Sequence, residues 1–129
     1  MERWLGRHGE RLFALFRFVA GVLFAFHGAQ KLFGAFGGQV MTSNPLMLAA
    51  GIIELAGGLM IAIGLLTSWA AFIASGQMAV AYFTVHQPQG TWPIVNKGEL
   101  AALYCFAFLF VAARGPGSYS VDALIRGRR

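Results

Sequence analysis

Residues 45–66, PLMLAAGIIELAGGLMIAIGLL, hold one ionisable side chain, Glu54, among aliphatic and small residues. As a helix this stretch rises about 33 Å at about 1.5 Å per residue, enough to cross the roughly 30 Å hydrocarbon core of a bilayer. Pro45 suits the first helical position, where its missing N–H would have no partner in any case. An ionised carboxylate deep in lipid is costly unless it is paired or protonated, so Glu54 marks a functional position if the stretch spans.

The rest of the chain reads the same way. Of its 129 residues, 57% are hydrophobic and 12% charged, against about 25% charged in ordinary soluble domains. Mean hydropathy is +0.63. Between Leu32 and Asn96, Glu54 is the only charged side chain, which leaves too little polar surface for a soluble fold. The net charge of +5 comes largely from the ends, where Arg3, Arg7, Arg11 and Arg17 precede Arg114, Arg126, Arg128 and Arg129. Such flanking clusters suit membrane helices rather than nucleic acid, and no RNA-recognition motif or base-stacking array interrupts the apolar runs. Cys105 stands alone, so an intrachain disulfide and a C-x-x-C redox pair are both excluded. Arg3, Arg7 and Arg11 ahead of an apolar run resemble a leader. The run from Leu12 to about Phe36 has no small-residue cleavage site followed by a soluble domain, so it is read as a retained helix.

Turn signals divide the chain into helices at about 11–35, 45–66, 68–86 and 97–113, followed by an amphipathic, basic tail at 115–129. The breaks are GGQVMTSNP, GLLTSW, the two prolines of HQPQGTWP, and RGPG. The expectation is an all-α fold, an integral membrane four-helix bundle forming one domain over 1–129. With eight of ten Lys and Arg residues at its ends, both termini are expected in the cytoplasm. The 36–45 and 86–96 links then face outward. Gly21, Gly51, Gly57, Gly58, Gly64 and Gly76 offer small surfaces for close helix approach. Arg17 is expected to snorkel toward headgroups or to pair with a polar loop group, and the tail, capped by Ser120, to lie on an anionic leaflet.

The polar residues gather toward the outward end. His27, Gln30 and Lys31 fall at i, i+3 and i+4 and share a helical face. His27 and Glu54 come to similar depths, about 10–14 Å from the outer helix ends, within reach of each other. There burial disfavours the carboxylate and a neighbouring cation favours it, a balance suited to proton transfer. His86 closes the third helix on that side, Tyr82 lies one turn before it, and Asn96, Lys97 and Glu99 open the fourth. Architectural readings stand beside these: Lys31 snorkelling, His27 and Gln30 bonding neighbouring helices, Asn96 and Glu99 as a capping box, Trp92 as an interfacial aromatic, and Gln77 as interhelical glue on a different face from His86. The candidate catalytic residues are Glu54 and His27. The candidate substrate-binding residues are Gln30, Lys31, Tyr82, His86, Asn96 and Glu99. The paired H-x-x-x-H and E-x-x-H ligands of bundle metal sites are absent, as is a dinucleotide fingerprint, so no metal, haem or flavin is expected.

FHGAQKLFG (26–34), GIIELAGGLMIAIGLLT (51–67) and AVAYFTVHQPQGTWPIVNKGELAALYCFAFLFVAARGPGSYSVD (79–122) resemble the DoxX family of small bacterial membrane proteins, over roughly residues 11–122. The resemblance implies a four-helix, multi-pass protein of the bacterial cytoplasmic membrane. The family is associated with quinone-linked sulfur oxidation, in which a related polypeptide is a subunit of thiosulfate:quinone oxidoreductase, and with responses to quinones, catechols and oxidative stress. The leading expectation is therefore a quinone-interacting oxidoreductase component. Phe24, Phe26, Phe33 and Tyr82 would wall a slot, His27, Gln30 and Glu54 would supply donors and a proton route, and a partner subunit or small reductant would bring electrons. The alternatives are a non-catalytic anchor or assembly subunit for a partner enzyme, and a small proton-coupled transporter or lipid-binding protein. The expected partners are the lipid bilayer, an oxidoreductase subunit and further copies of the chain, with no nucleic acid.

Overall fold

Apolar side chains spaced three and four apart, broken by glycine and proline, produce seven helices in the computed structural model, which describes residues 1–127. They are α1 Glu2–Gly6, α2 Gly9–Phe33, α3 Pro45–Ile63, α4 Thr67–Ala81, α5 Pro93–Asn96, α6 Glu99–Arg114 and α7 Val121–Gly127. Among the described residues there is no strand. Two of the helices, α2 and α3, are long and apolar enough to cross a membrane. A π-turn, Ile53–Gly57, lies within α3, and a second, Tyr82–His86, extends α4.

The ends of α3 follow from the chain chemistry. Asn44 caps its start by accepting the Leu46 N–H at 3.0 Å, with Pro45 in the first turn. Gly64, left-handed at φ 76°, stops it. The Leu65 and Gly64 N–H groups turn back to the Met60 and Ile61 carbonyls at 2.8 and 3.2 Å, a Schellman closure. The helix thus ends before the expected residue 66.

Backbone meets backbone along the α2–α3 seam. Gly21 and Gly28 on α2 and Gly51 and Gly58 on α3 are each seven residues apart, so each pair presents one face. A Cβ at Gly21 would lie 2.5 Å from the Gly58 carbonyl, and one at Gly58 would lie 2.6 Å from the Gly21 carbonyl. Gly28 abuts the Leu55 N–H and the Gly51 carbonyl just as closely. Gly57 and Gly76, expected to serve the same purpose, face open space. The other long pairing, α4 along α6, buries Ala71, Ala74, Met78, Ala101 and Phe108, and Ser75 Oγ donates to the Cys105 carbonyl across it at 2.7 Å.

Arg17 is 3% exposed and does not snorkel. Its Nε donates to the Ile61 carbonyl at 2.9 Å, in the last turn of α3, where a cation is favoured. Its other nitrogens donate to the Pro116 and Tyr119 carbonyls, so it joins α2, α3 and the tail, in keeping with the loop-pairing expectation. Residues 115–127 are correspondingly pinned to the helix ends. Ser120 Oγ caps α7 by accepting from Ala123 N–H at 3.1 Å. Asp122 accepts from Leu66 N–H, Thr67 N–H and Thr67 Oγ1 at 2.8–2.9 Å, and thereby caps α4 from a distance of more than fifty residues in sequence. Arg128 and Arg129, the end of the basic cluster, lie outside the described residues.

Two predictions arise here. Gly28→Val has no space to occupy and lowers stability in detergent by about 1–3 kcal/mol or prevents folding, whereas Gly76→Val leaves the melting temperature nearly unchanged. Desolvation pushes the Asp122 carboxyl up, but hydrogen bonds from Thr67 and Leu66 together with the Arg126 charge outweigh it and hold the group below the usual aspartate range. A carboxylate held low stabilises the fold above its unfolded pKa and loses that effect as pH falls through the folded value. The tail cap should therefore persist at neutral pH and release in strong acid, read as protease sensitivity of residues 115–127. Asp122→Ala should remove the pH dependence and cost about 1 kcal/mol, as loss of a helix cap does.

Candidate functional site

Glu54 sits in the π-turn of α3 and is 2% exposed. Its two oxygens are taken by different helices: Lys31 Nζ of α2 donates to Oε2 at 2.6 Å, and Gln77 Nε2 of α4 donates to Oε1 at 2.9 Å. Lys31, with 22% of its side chain exposed, is thus the ion-pair partner and does not reach away to the surface. His27 is not among the groups bonded to Glu54. It stands edge-on to Tyr104, with ring centroids 6.2 Å apart.

These residues line a cavity of about 370 Å³. Each long helix contributes a stripe at helical spacing: Phe24, His27 and Lys31 from α2, Met47, Ala50 and Glu54 from α3, Gln77, Ala81 and Val85 from α4, and Lys97, Leu100, Ala101 and Tyr104 running into α6. Met41 closes one side, because its N–H turns back to the Lys31 carbonyl at 2.8 Å. Gln77 and His86 share this cavity despite the contrary expectation. The π-turn Tyr82–His86 advances by a smaller angle per residue than an α-helix and swings His86 back toward the Gln77 face. Wide turns of this kind thus place both Glu54 and His86.

The remaining candidates separate. Asn96, 1% exposed, organises the loop before α6: its Nδ2 donates to the Gly90 carbonyl at 2.9 Å and to Tyr82 Oη at 3.2 Å, and its Oδ1 accepts Gly98 N–H at 2.8 Å. The expected capping box does not form. Lys97 turns left-handed at φ 61°, Gly98 becomes the N-cap, and Glu99 is left exposed in the first turn, off the cavity. His86 Nδ1 lies 3.1 Å from the Asn96 carbonyl, an acceptor, so Nδ1 carries a proton and donates to it. Tyr82 belongs to this loop network and its ring lies tilted beside His86, with centroids 6.4 Å apart. Gln30 packs against Gly38 beside the cavity without lining it. Of the expected aromatic walls, Phe24 is fully buried at the cavity, while Phe26 and Phe33 face outward.

Tyr104, Lys97 and Gln77 are cavity residues absent from the sequence-based candidates. Lys97, Leu100, Ala101 and Tyr104 follow i, i+3, i+4, i+7, a helical-face signal legible in the sequence. Among the described residues, no three His, Cys, Asp or Glu side chains converge. One buried side-chain atom lacks a hydrogen-bond partner among the described residues: Gln77 Oε1. A buried amide oxygen left unbonded is costly.

The pairing predicts an asymmetry. Lys31→Met leaves a buried carboxylate without its cation and should lower the unfolding free energy by about 3 kcal/mol, whereas Lys31→Met combined with Glu54→Gln should recover most of that loss in the same detergent melt.

The model of the DoxX family matches residues 12–87, a span that includes His27, Lys31, Glu54, Gln77 and His86. An uncharacterized protein of Haemophilus influenzae is 37% identical over 125 residues, covering 92% of this chain and 93% of its own length. No solved structure matches. The chain belongs to the DoxX family of proteins.

Proposed function

We propose that this is a single-domain, multi-pass protein of the bacterial cytoplasmic membrane, with α2, α3, α4 and α6 as a four-helix bundle and both termini in the cytoplasm, and that it is a quinone-interacting component of an oxidoreductase system. The membrane reading is supported by exposed apolar side chains on all four helices, among them Phe18, Leu59, Phe72 and Phe106, and by the arginines at the ends of the chain. The quinone reading is carried by one observation, a largely apolar cavity whose polar groups converge on Glu54 and include the unpartnered Gln77 Oε1.

The residues fit a quinone head. The cavity volume of about 370 Å³ lies within the roughly 300–1,000 Å³ of small-molecule sites. Phe24 and Tyr104, with centroids 5.4 Å apart, give it an aromatic wall. A quinone supplies a couple of two electrons and two protons, the electrons coming from a partner subunit or a small reductant. Lys31 Nζ gives one N–H to Glu54 and keeps two, which can donate to a head-group carbonyl. The 2.6 Å contact between Lys31 Nζ and Glu54 Oε2 is a path along which a proton moves without reorientation of either side chain. His86, oriented by its Nδ1 bond to the Asn96 carbonyl, relays protons toward the loop side of the cavity.

The test is binding of a short-chain quinone to the protein purified in mild detergent, followed by titration calorimetry. Wild type should bind it, and Glu54→Gln should weaken binding at least about tenfold, or about 1.4 kcal/mol, with helix content retained. Unchanged binding in Glu54→Gln, or a protein that binds no quinone and co-purifies with a soluble enzyme, would overturn this reading and favour an anchor subunit.

A further inference from the structure

Between Arg17 and Arg114 the chain carries four charged side chains, Lys31, Glu54, Lys97 and Glu99. The fold brings three of them, with both histidines of that stretch, to the cavity at Glu54 and leaves Glu99 exposed outside it. The lining therefore sets two ammonium groups against one carboxylate. Glu54 is already matched, because Lys31 Nζ and Gln77 Nε2 take its two oxygens. Lys97 is not. Among the described residues the ion pairs are Lys31 with Glu54 and Arg114 with Glu10, and Lys97 takes part in neither. Hydrogen-bonding capacity is skewed the same way, since Lys31 keeps two N–H groups and Lys97 has three.

The backbone at Lys97 points in the same direction. The residue is left-handed at φ 61°, a conformation that favours glycine or asparagine, and it is held there by the fully buried Asn96, whose Oδ1 accepts the Gly98 N–H at 2.8 Å. A lysine in a strained position on the rim of a cavity marks a use for its ammonium group.

We propose that the cavity binds an organic monoanion, an apolar body bearing one ionised oxygen, whose charge is met by Lys97 and by the spare N–H groups of Lys31. This rests on the quinone reading for the ring and narrows the head to an acidic one, such as a ring-hydroxylated quinone bound as its enolate. One negative charge brings the lining to neutrality, whereas an uncharged head leaves the Lys97 ammonium unanswered. Lys97 is exposed and Glu54 is 2% exposed, so an entering ligand meets the cation before the carboxylate, and the field at the mouth favours anions.

The experiment is titration calorimetry of the full-length protein in detergent with three probes: a hydroxynaphthoquinone ionised at neutral pH, its uncharged methyl ether, and naphthoate. Wild type should bind the hydroxy compound at least about tenfold more tightly than the ether. Lys97→Asn, whose side chain suits the left-handed backbone, should abolish that preference and leave the ether within about twofold. Added salt should weaken the anion and spare the ether in wild type, a readout that needs no variant. Equal binding of the two quinones, tighter binding of the ether, or a preference that survives Lys97→Asn would overturn the proposal. Naphthoate separates it from the reading on which it rests. If naphthoate binds and neither quinone does, the anion site stands and the quinone falls; if the ether binds and both anions are rejected, the reverse holds. Binding of none of the three would overturn both.

Discussion

One carboxylate buried among apolar helices sets the terms for one half of this protein. Glu54 can remain there only if other helices answer it, and two do, Lys31 from α2 and Gln77 from α4. Breaking a buried pair of this kind costs far more than the pair contributes relative to an apolar replacement, so its presence points to use rather than stability. The same three helices are held in register by that single side chain, and the cavity exists because they meet at polar groups where apolar side chains would otherwise have closed the space.

The opposite end uses charge differently. Arg17, Asp122 and the Glu10–Arg114 ion pair all bind backbone groups or one another where helices begin and end. Arg17 takes carbonyls in the last turn of α3, and Asp122 takes N–H groups at the start of α4. Each charge meets the helix terminus of opposite partial charge. These contacts close one end firmly, while the glycine seam of α2 and α3 lets Gly28 sit against α3 one turn from Lys31 and so brings Lys31 within reach of Glu54. Rigid closure at one end and a polar cavity near the other are two consequences of where the few charges fall in the sequence.

Much of this was legible in the residues. The helical character, the burial of Glu54 and the gathering of His27, Lys31 and His86 about one cavity follow from hydropathy, spacing and rise per residue. The partner of Glu54 is legible only as His27 or Lys31, because Lys31 near an apolar boundary has an equally sound reading as a snorkelling side chain, and only the depth set by the glycine seam decides. Gln77 was assigned to the wrong face because an ideal 3.6-residue period was carried through Tyr82–His86, where the chain makes a π-turn that local propensity does not announce. Asn96 and Glu99 fit the capping-box pattern, but Lys97 in a left-handed conformation moves the cap to Gly98. Asp122 as a cap for α4 is a contact between distant residues, beyond any window of sequence.

The most direct measurement is the infrared difference spectrum of a quinone carrying 13C at its carbonyls, bound to the purified protein. If Lys31 and its neighbours hold the head in the cavity, one carbonyl stretch lies below its position in detergent alone, and the shift changes in Glu54→Gln. A spectrum identical to that of the quinone in empty micelles, in both wild type and variant, would contradict the account.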